Sequence, residues 1–281
     1  MTVSTSTATT PASRAVELPS GLSVTITEYG DATAAKGTGV LLLHGGAGSR
    51  SVAGFAAALS EHAYVITPTH PGFDGTPRPD WADTVADLAS AYLDLIDVLG
   101  LTGVLVIGSS VGGWIGSEMA LRDNRGTIAA LTLINAAGIA GTPGRPGADI
   151  TDVSTLSPTE LSALSFHKPE FRPDFSAFSE QQRAGMLANQ RALAIYAGEP
   201  YMHDPKLRGR LHRVSVPVLV LWGEHDGVTP LEYGRAFAGA FSRSRFVPIA
   251  DSGHFPFLEN PGAVFAALGD FIDTEVKPDE A

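Results

Sequence analysis

The chain reads as an α/β protein, a mostly parallel sheet with helices on both faces and one inserted helical segment. Three observations predict this class. Short apolar runs recur along the chain, each followed by residues whose apolar positions fall at helical spacing. The run Val40–Leu43 is apolar throughout rather than alternating, as expected of a strand covered on both faces. The strand–helix rhythm then stops after Ala136 and resumes near Val216, leaving about seventy-five residues, too many for a plain loop.

Taken in order, Arg14–Leu18 and Leu22–Tyr29 flank Pro19-Ser20-Gly21 and read as a β-hairpin. A polar loop over 30–39 leads to the strand Val40–Leu43. The Ala-rich stretch Val52–His62 reads as a helix and Tyr64–Thr67 as a strand; Pro71, Gly72, Gly75, Pro77 and Pro79 then form a rigid loop. Trp81–Leu99 carries Val85, Leu88, Tyr92, Leu95, Ile96 and Leu99 at helical spacing, with Gly100 as its C-terminal cap. Strand Val104–Ile107, helix Val111–Arg122 and strand Ile128–Ile134 follow. Beyond the insertion come strand Val216–Leu221, helix Pro230–Phe241, strand Arg245–Ile249 and helix Pro261–Ile272. Such repetition argues for a parallel sheet with right-handed crossovers. The expected division is a disordered tail over 1–13, a core over 14–137 and 216–281, and a cap over 138–215. Within the cap, Pro158–Phe166 and Glu180–Tyr196 are helical patches. Phe166, Phe171, Phe175, Phe178, Met186, Tyr196, Tyr201 and Met202 supply aromatic and sulfur surface.

Of 281 residues, 44% are hydrophobic and 17% charged. Nineteen Lys and Arg against thirty Asp and Glu give a net charge of −11, which repels nucleic acid and anionic membranes. The absence of cysteine excludes disulfides, a thiol nucleophile and thiolate metal sites. No apolar run approaches the ~18 residues of a membrane helix. Met1 to Pro19 lacks the cationic start and apolar block of a signal peptide, which predicts a cytoplasmic protein.

The strongest chemical signal is Gly108-Ser109-Ser110-Val111-Gly112, G-x-S-x-G between a strand and a helix. A turn at that point strains the serine backbone and lifts its hydroxyl off the sheet edge, and the flanking glycines leave room for neighbouring backbone. The helix N-terminus behind it offers free amides to a developing oxyanion. Ser110 is the candidate nucleophile; a Gly/Ser-rich loop without chemistry is the alternative. A serine needs a base, and the base an orienting acid. Asp226 follows the strand Val216–Leu221 and His254 follows Arg245–Ile249, both at carboxyl ends, where open α/β sheets place their sites. Glu224 and Asp251 are rival acids that read as loop or capping carboxylates, and His225 is a rival base. After strand Val40–Leu43, His44-Gly45-Gly46-Ala47-Gly48 brings backbone amides close to a substrate oxygen, which assigns Gly46 and Val111 as oxyanion donors. The spacing is neither G-x-G-x-x-G nor a P-loop. No H-E-x-x-H, EF-hand or clustered ligand spacing occurs, so no metal or cofactor is expected.

From about Arg14 to Ile272 the chain resembles the α/β-hydrolase superfamily. The carriers are His44-Gly45-Gly46, His70-Pro71-Gly72-Phe73-Asp74, Gly108 to Trp114, Trp222 to Asp226 and Gly253-His254-Phe255-Pro256. The resemblance implies an α/β-hydrolase fold of eight strands with a cap after the sixth. It implies Ser110 as nucleophile, His254 as base and Asp226 as orienting acid. It further implies that Gly45, Val228 and Phe255 line a pocket for a small-molecule substrate. Serine at the elbow disfavours the dehalogenase and epoxide-hydrolase branches, which use aspartate there. A serine hydrolase acting on an ester or lactone is the leading expectation. A carbon–carbon bond hydrolase of vinylogous diketones resembles the His-Gly-Gly loop, although Ser109 and Ala47-Gly48 depart from that branch's pattern. A cofactor-free oxygenase or lyase on the same fold, or a ligand receptor with a vestigial triad, are the remaining alternatives.

Overall fold

The computed structural model describes residues 11–33, 35, 37–142 and 149–276. The expected tail over 1–10 and residues 143–148 of the expected cap lie outside the described residues. Among the described residues ten strands run in chain order: β1 (Ala12–Glu17), β2 (Ser23–Tyr29), β3 (Val40–Leu43), β4 (Val65–Pro68), β5 (Val104–Ser109), β6 (Ile128–Ile134), β7 (Gly138–Ile139), β8 (His203–Asp204), β9 (Val218–Gly223) and β10 (Ser244–Ile249). Eight of them form one sheet in the order β1-β2-β4-β3-β5-β6-β9-β10. β1–β2 and β2–β4 pair antiparallel, and every other neighbouring pair is parallel. β7 and β8 form a separate two-residue parallel pair that periodicity does not reveal.

Alternation along each central strand splits the core in two. Leu41 and Leu43, Val104 and Val106, Leu131 and Leu133, and Val218 and Val220 face one cluster. There they pack against α2 (Val85–Val98), α3 (Val111–Arg122) and α7 (Leu231–Ala238). Val40, Leu42, Ile107, Ala130, Ile134, Leu219 and Leu221 face the other, against α1 (Ala53–Leu59) and α8 (Pro261–Phe271). Both faces of the central strands are therefore covered, and burial of this kind stabilises by roughly 25 cal/mol per Å² of apolar surface.

Several boundaries move for local reasons. β1 takes in Ala12 and Ser13, which the sequence assigns to a tail, because both pair with β2 opposite Glu28 and Thr27. α2 begins four residues later than the apolar spacing suggests. Thr84 caps it, accepting from the Asp87 amide while the Asp87 carboxylate accepts from the Thr84 amide. β9 starts after Pro217, which has no amide to donate to the ladder.

Between β6 and β9 lie β7, α4 (Pro158–Ser165), α5 (Glu180–Ala197), β8 and α6 (Leu207–Arg210). This inserted segment packs across the carboxyl ends of the strands. Tyr196 donates to the Pro71 carbonyl (3.0 Å). Asn189 accepts from the Asp74 amide (2.7 Å) and donates to Asp74 Oδ1 (3.0 Å) and the Ala47 carbonyl (3.2 Å). Among the described residues no helix is long and apolar enough to cross a membrane.

Candidate active site

Four adjacent parallel strands, β5, β6, β9 and β10, each deliver one polar residue from the carboxyl end: Ser110, Asn135, Asp226 and His254. Strands in a sheet lie about 4.8 Å apart, so this topology alone gathers the four side chains.

Ser110 sits between β5 and α3 with φ 55° and ψ −120°, in the left-handed region that non-glycine residues avoid. Its amide donates to the Ile134 carbonyl (3.0 Å), and its own carbonyl accepts from Gly113 (2.9 Å) and Ala137 (3.1 Å). Those bonds hold the strain in place. The flanking glycines are sterically required: a Cβ on Gly108 would overlap the Gly112 carbonyl, and one on Gly112 would overlap the Leu43 carbonyl. Ser110 is 9% exposed, under the inserted segment.

Five donors converge on the Asp226 carboxylate. Oδ1 accepts from the amides of Val228 (2.7 Å) and Thr229 (3.0 Å). Oδ2 accepts from Asn135 Nδ2 (2.6 Å), Thr229 Oγ1 (2.6 Å) and His254 Nδ1 (2.7 Å). A carboxylate only accepts, so the proton of a neutral His254 lies on Nδ1 and Nε2 is left as the acceptor. Asp226 and His254 are each about 5% exposed. No hydrogen bond joins Ser110 Oγ to His254 among the described residues; nucleophile–base contacts of this type tighten when substrate binds. Of the rivals, Glu224, Asp251 and His225 are all exposed.

The glycine loop after β3 is shaped by buried histidines. The His70 amide can only donate, so His44 Nε2 accepts from it (3.0 Å) and Nδ1–H donates to the Gly45 carbonyl (2.7 Å). His70 Nε2–H donates to the His44 carbonyl (2.9 Å), and Tyr92 donates to His70 Nδ1 (2.6 Å). The two imidazoles stack with centroids 3.7 Å apart. Burial pushes His44 down to about 4 and His70 well below its ordinary value, so both are neutral. The Gly45 carbonyl also accepts from the Gly48 amide (3.1 Å). In a trans peptide the carbonyl and the following amide point opposite ways, so the Gly46 amide faces away from His44 and Gly48. Gly45 lies against the candidate nucleophile: a Cβ there would sit 3.0 Å from Ser110 Cβ. Val111 opens α3, where the first amides have no intrahelical acceptor.

Phe255 stacks on Phe166 of the inserted segment (5.0 Å) and meets the His254 ring edge-on (5.3 Å). Val228 is buried beside Asp226. Leu193 of α5 closes the other side, its Cδ2 2.6 Å from where a Gly46 Cβ would be. Four contributors escape the sequence reading: Asn135, Thr229, Asn189 and Leu193. Asn135 alone carries a local signal, a polar residue at a strand's carboxyl end within the apolar run Leu133 to Ala137.

The chain is similar to known proteins over most of its length. The model of the alpha/beta hydrolase family matches residues 40–268. A 2-hydroxy-6-oxo-6-(2'-aminophenyl)hexa-2,4-dienoic acid hydrolase of Metapseudomonas resinovorans is 26% identical, covering 81% of this chain and 81% of its own. A pimeloyl-[acyl-carrier protein] methyl ester esterase of Chromobacterium violaceum is 24% identical over 83% of this chain and 91% of its own. The structure of a thermophilic esterase from Thermogutta terrifontis superposes with a TM-score of 0.72 at 25% identity, covering 95% of this chain and 100% of that one. Fold, elbow and family model converge, and the chain belongs to the alpha/beta hydrolase family.

Proposed function

We propose that the protein is a serine hydrolase that cleaves a carboxylic ester or lactone of a small to medium, largely apolar substrate through an acyl-enzyme. The Asp226–His254 hydrogen bond, set two strands from a serine in a strained elbow, carries this reading. His254 Nε2 takes the proton as Ser110 Oγ attacks the carbonyl carbon. The oxyanion accepts from the amides of Gly46 and Val111, each worth about 3 kcal/mol in comparable sites. His254 returns the proton to the departing alkoxide oxygen, which completes the acyl-enzyme. Water then attacks the acyl carbon, with His254 again as base, and the carboxylic acid leaves with Ser110 restored. Asp226 fixes the imidazole tautomer and stabilises its cation. The inserted segment serves as a cap, and Gly45, Val228, Phe255, Phe166 and Leu193 line the apolar pocket.

Mass spectrometry of the intact protein after a fluorophosphonate probe tests this. One adduct per chain, absent in Ser110→Ala, is the expected result; a folded wild type that stays unlabelled would sink the serine mechanism. A second reading, hydrolysis of a carbon–carbon bond in a vinylogous diketone, is favoured by the dienoic acid hydrolase among the relatives. Turnover of such a diketone, with esters left untouched, would select it.

A further inference from the structure

Away from Ser110, the fold brings together three side chains that no spacing along the chain connects. They are His167 after α4, His225 in the loop after β9, and Asp251 in the loop after β10. One nitrogen or oxygen from each lies within 4.8 Å of the others, and all three are exposed. The two imidazoles stack at 3.9 Å with 12° between their planes. We propose that His167, His225 and Asp251 form a site for a divalent transition metal of the zinc class, tying the inserted segment to the loops that carry Asp226 and His254.

The backbone under these ligands is already locked. The His225 amide donates to the Ser252 carbonyl (2.9 Å), joining the β9 and β10 loops. His254 donates to Ser165 (2.6 Å) and Gly227 to Leu164 (3.0 Å), joining both loops to the end of α4. The buried carboxylate of Glu259 accepts from the amides of Lys168 and Gly253 (each 2.7 Å), two positions next to or near the ligands. The ion therefore has only the side chains to organise, not the backbone that carries them.

The donor set selects the metal class. Two imidazole nitrogens and one carboxylate suit zinc, cobalt, nickel or copper, whereas magnesium and calcium prefer all-oxygen shells. Ligand bonds of roughly 2.0–2.2 Å place donors about 3.4 Å apart around a tetrahedral ion. The site requires the three exposed side chains to turn about their χ angles to that separation, with water completing the shell. The site is separate from the Ser110 chemistry and does not depend on it.

Calorimetric titration of tag-free, chelator-treated full-length protein with Zn²⁺ tests the proposal, with Co²⁺ as a spectroscopic probe. One ion per chain is expected, with visible d–d absorption from bound Co²⁺ and a raised melting temperature. Binding should weaken by more than about tenfold in His167→Ala, in His225→Ala and in the near-isosteric Asp251→Asn. Circular dichroism of the variants separates loss of a ligand from loss of the fold. Absence of saturable binding, or binding that survives both histidine substitutions, overturns the site.

Discussion

Acidifying the folded protein puts the stacked His44–His70 pair under direct load. Burial is the main reason His44 is pushed down to about 4 from 6.5, against the raising effects of its bond to Gly45 and the charge of Asp74. Burial also holds His70 well below 6.5, and the neighbouring His44 adds to that. In the unfolded chain both rings protonate near 6.5, so between that value and the folded one the unfolded state binds more protons. Stability is therefore full above about pH 6.5 and drains as pH falls toward 4. The two His44 values give a loss of about 2 kcal/mol at about pH 5 and about 3 kcal/mol at about pH 4, with His70 adding in the same direction. Urea unfolding at about pH 7.5 and about pH 5 measures the loss. Nitrogen-15 NMR of the imidazoles identifies its source, since His44 should stay neutral as the Nδ1–H tautomer. A His44 that titrates near 6.5 in folded protein, or carries its proton on Nε2, would refute the hydrogen-bond assignment and the loop orientation built on it.

Three further outcomes follow from the same contacts. Asp226→Asn keeps the shape but lets the amide donate where it must accept, so kcat on an ester should fall about 10⁴-fold with KM little changed. Asn189→Ala removes three hydrogen bonds between α5 and the Ala47–Asp74 region, and urea denaturation should show a loss of about 1–3 kcal/mol. Leu193→Ala removes the side chain over Gly46, so kcat/KM for branched acyl esters should rise relative to acetates; an unchanged ratio would remove Leu193 from the acyl pocket.

The elements that depend on local pattern were legible in the sequence. α3 and β6 have the bounds their residues suggest, because G-x-S-x-G marks one start and a run that is apolar but for Thr132 marks the other. Ser110, Asp226 and His254 were readable because each follows a strand, and in a parallel sheet strand ends share one edge. The supporting residues were not. Asn135 and Thr229 matter only because β6 neighbours β9 in space, and Asn189 and Leu193 only because α5 lies across the β3 loop. Tertiary placement of this sort leaves no periodicity. The His44–His70 pair lay in quoted motifs, yet its function of aiming a peptide bond follows only from which atoms face each other.

The bonds that the Ser165 and Leu164 carbonyls accept from the His254 and Gly227 amides bear on how members of this family diversify. The Gly253 backbone is so close to this strand of chain that a Cβ there would overlap the Ser165 carbonyl, and the Gly223 and Gly253 backbones are packed as tightly against each other. Residues 164–167 are thus fused to the loops that carry Asp226 and His254, whereas α5 reaches the core through side chains such as Asn189 and Tyr196. Exchange of sequence between relatives can then proceed along α5 at the cost of side-chain contacts such as those of Asn189, without moving backbone. A graft that replaces 164–167 instead disturbs the peptide to which the His254 amide is anchored. Variation in what the proposed site accepts should accordingly arise on the α5 side, with the α4 end inherited together with the loops of Asp226 and His254.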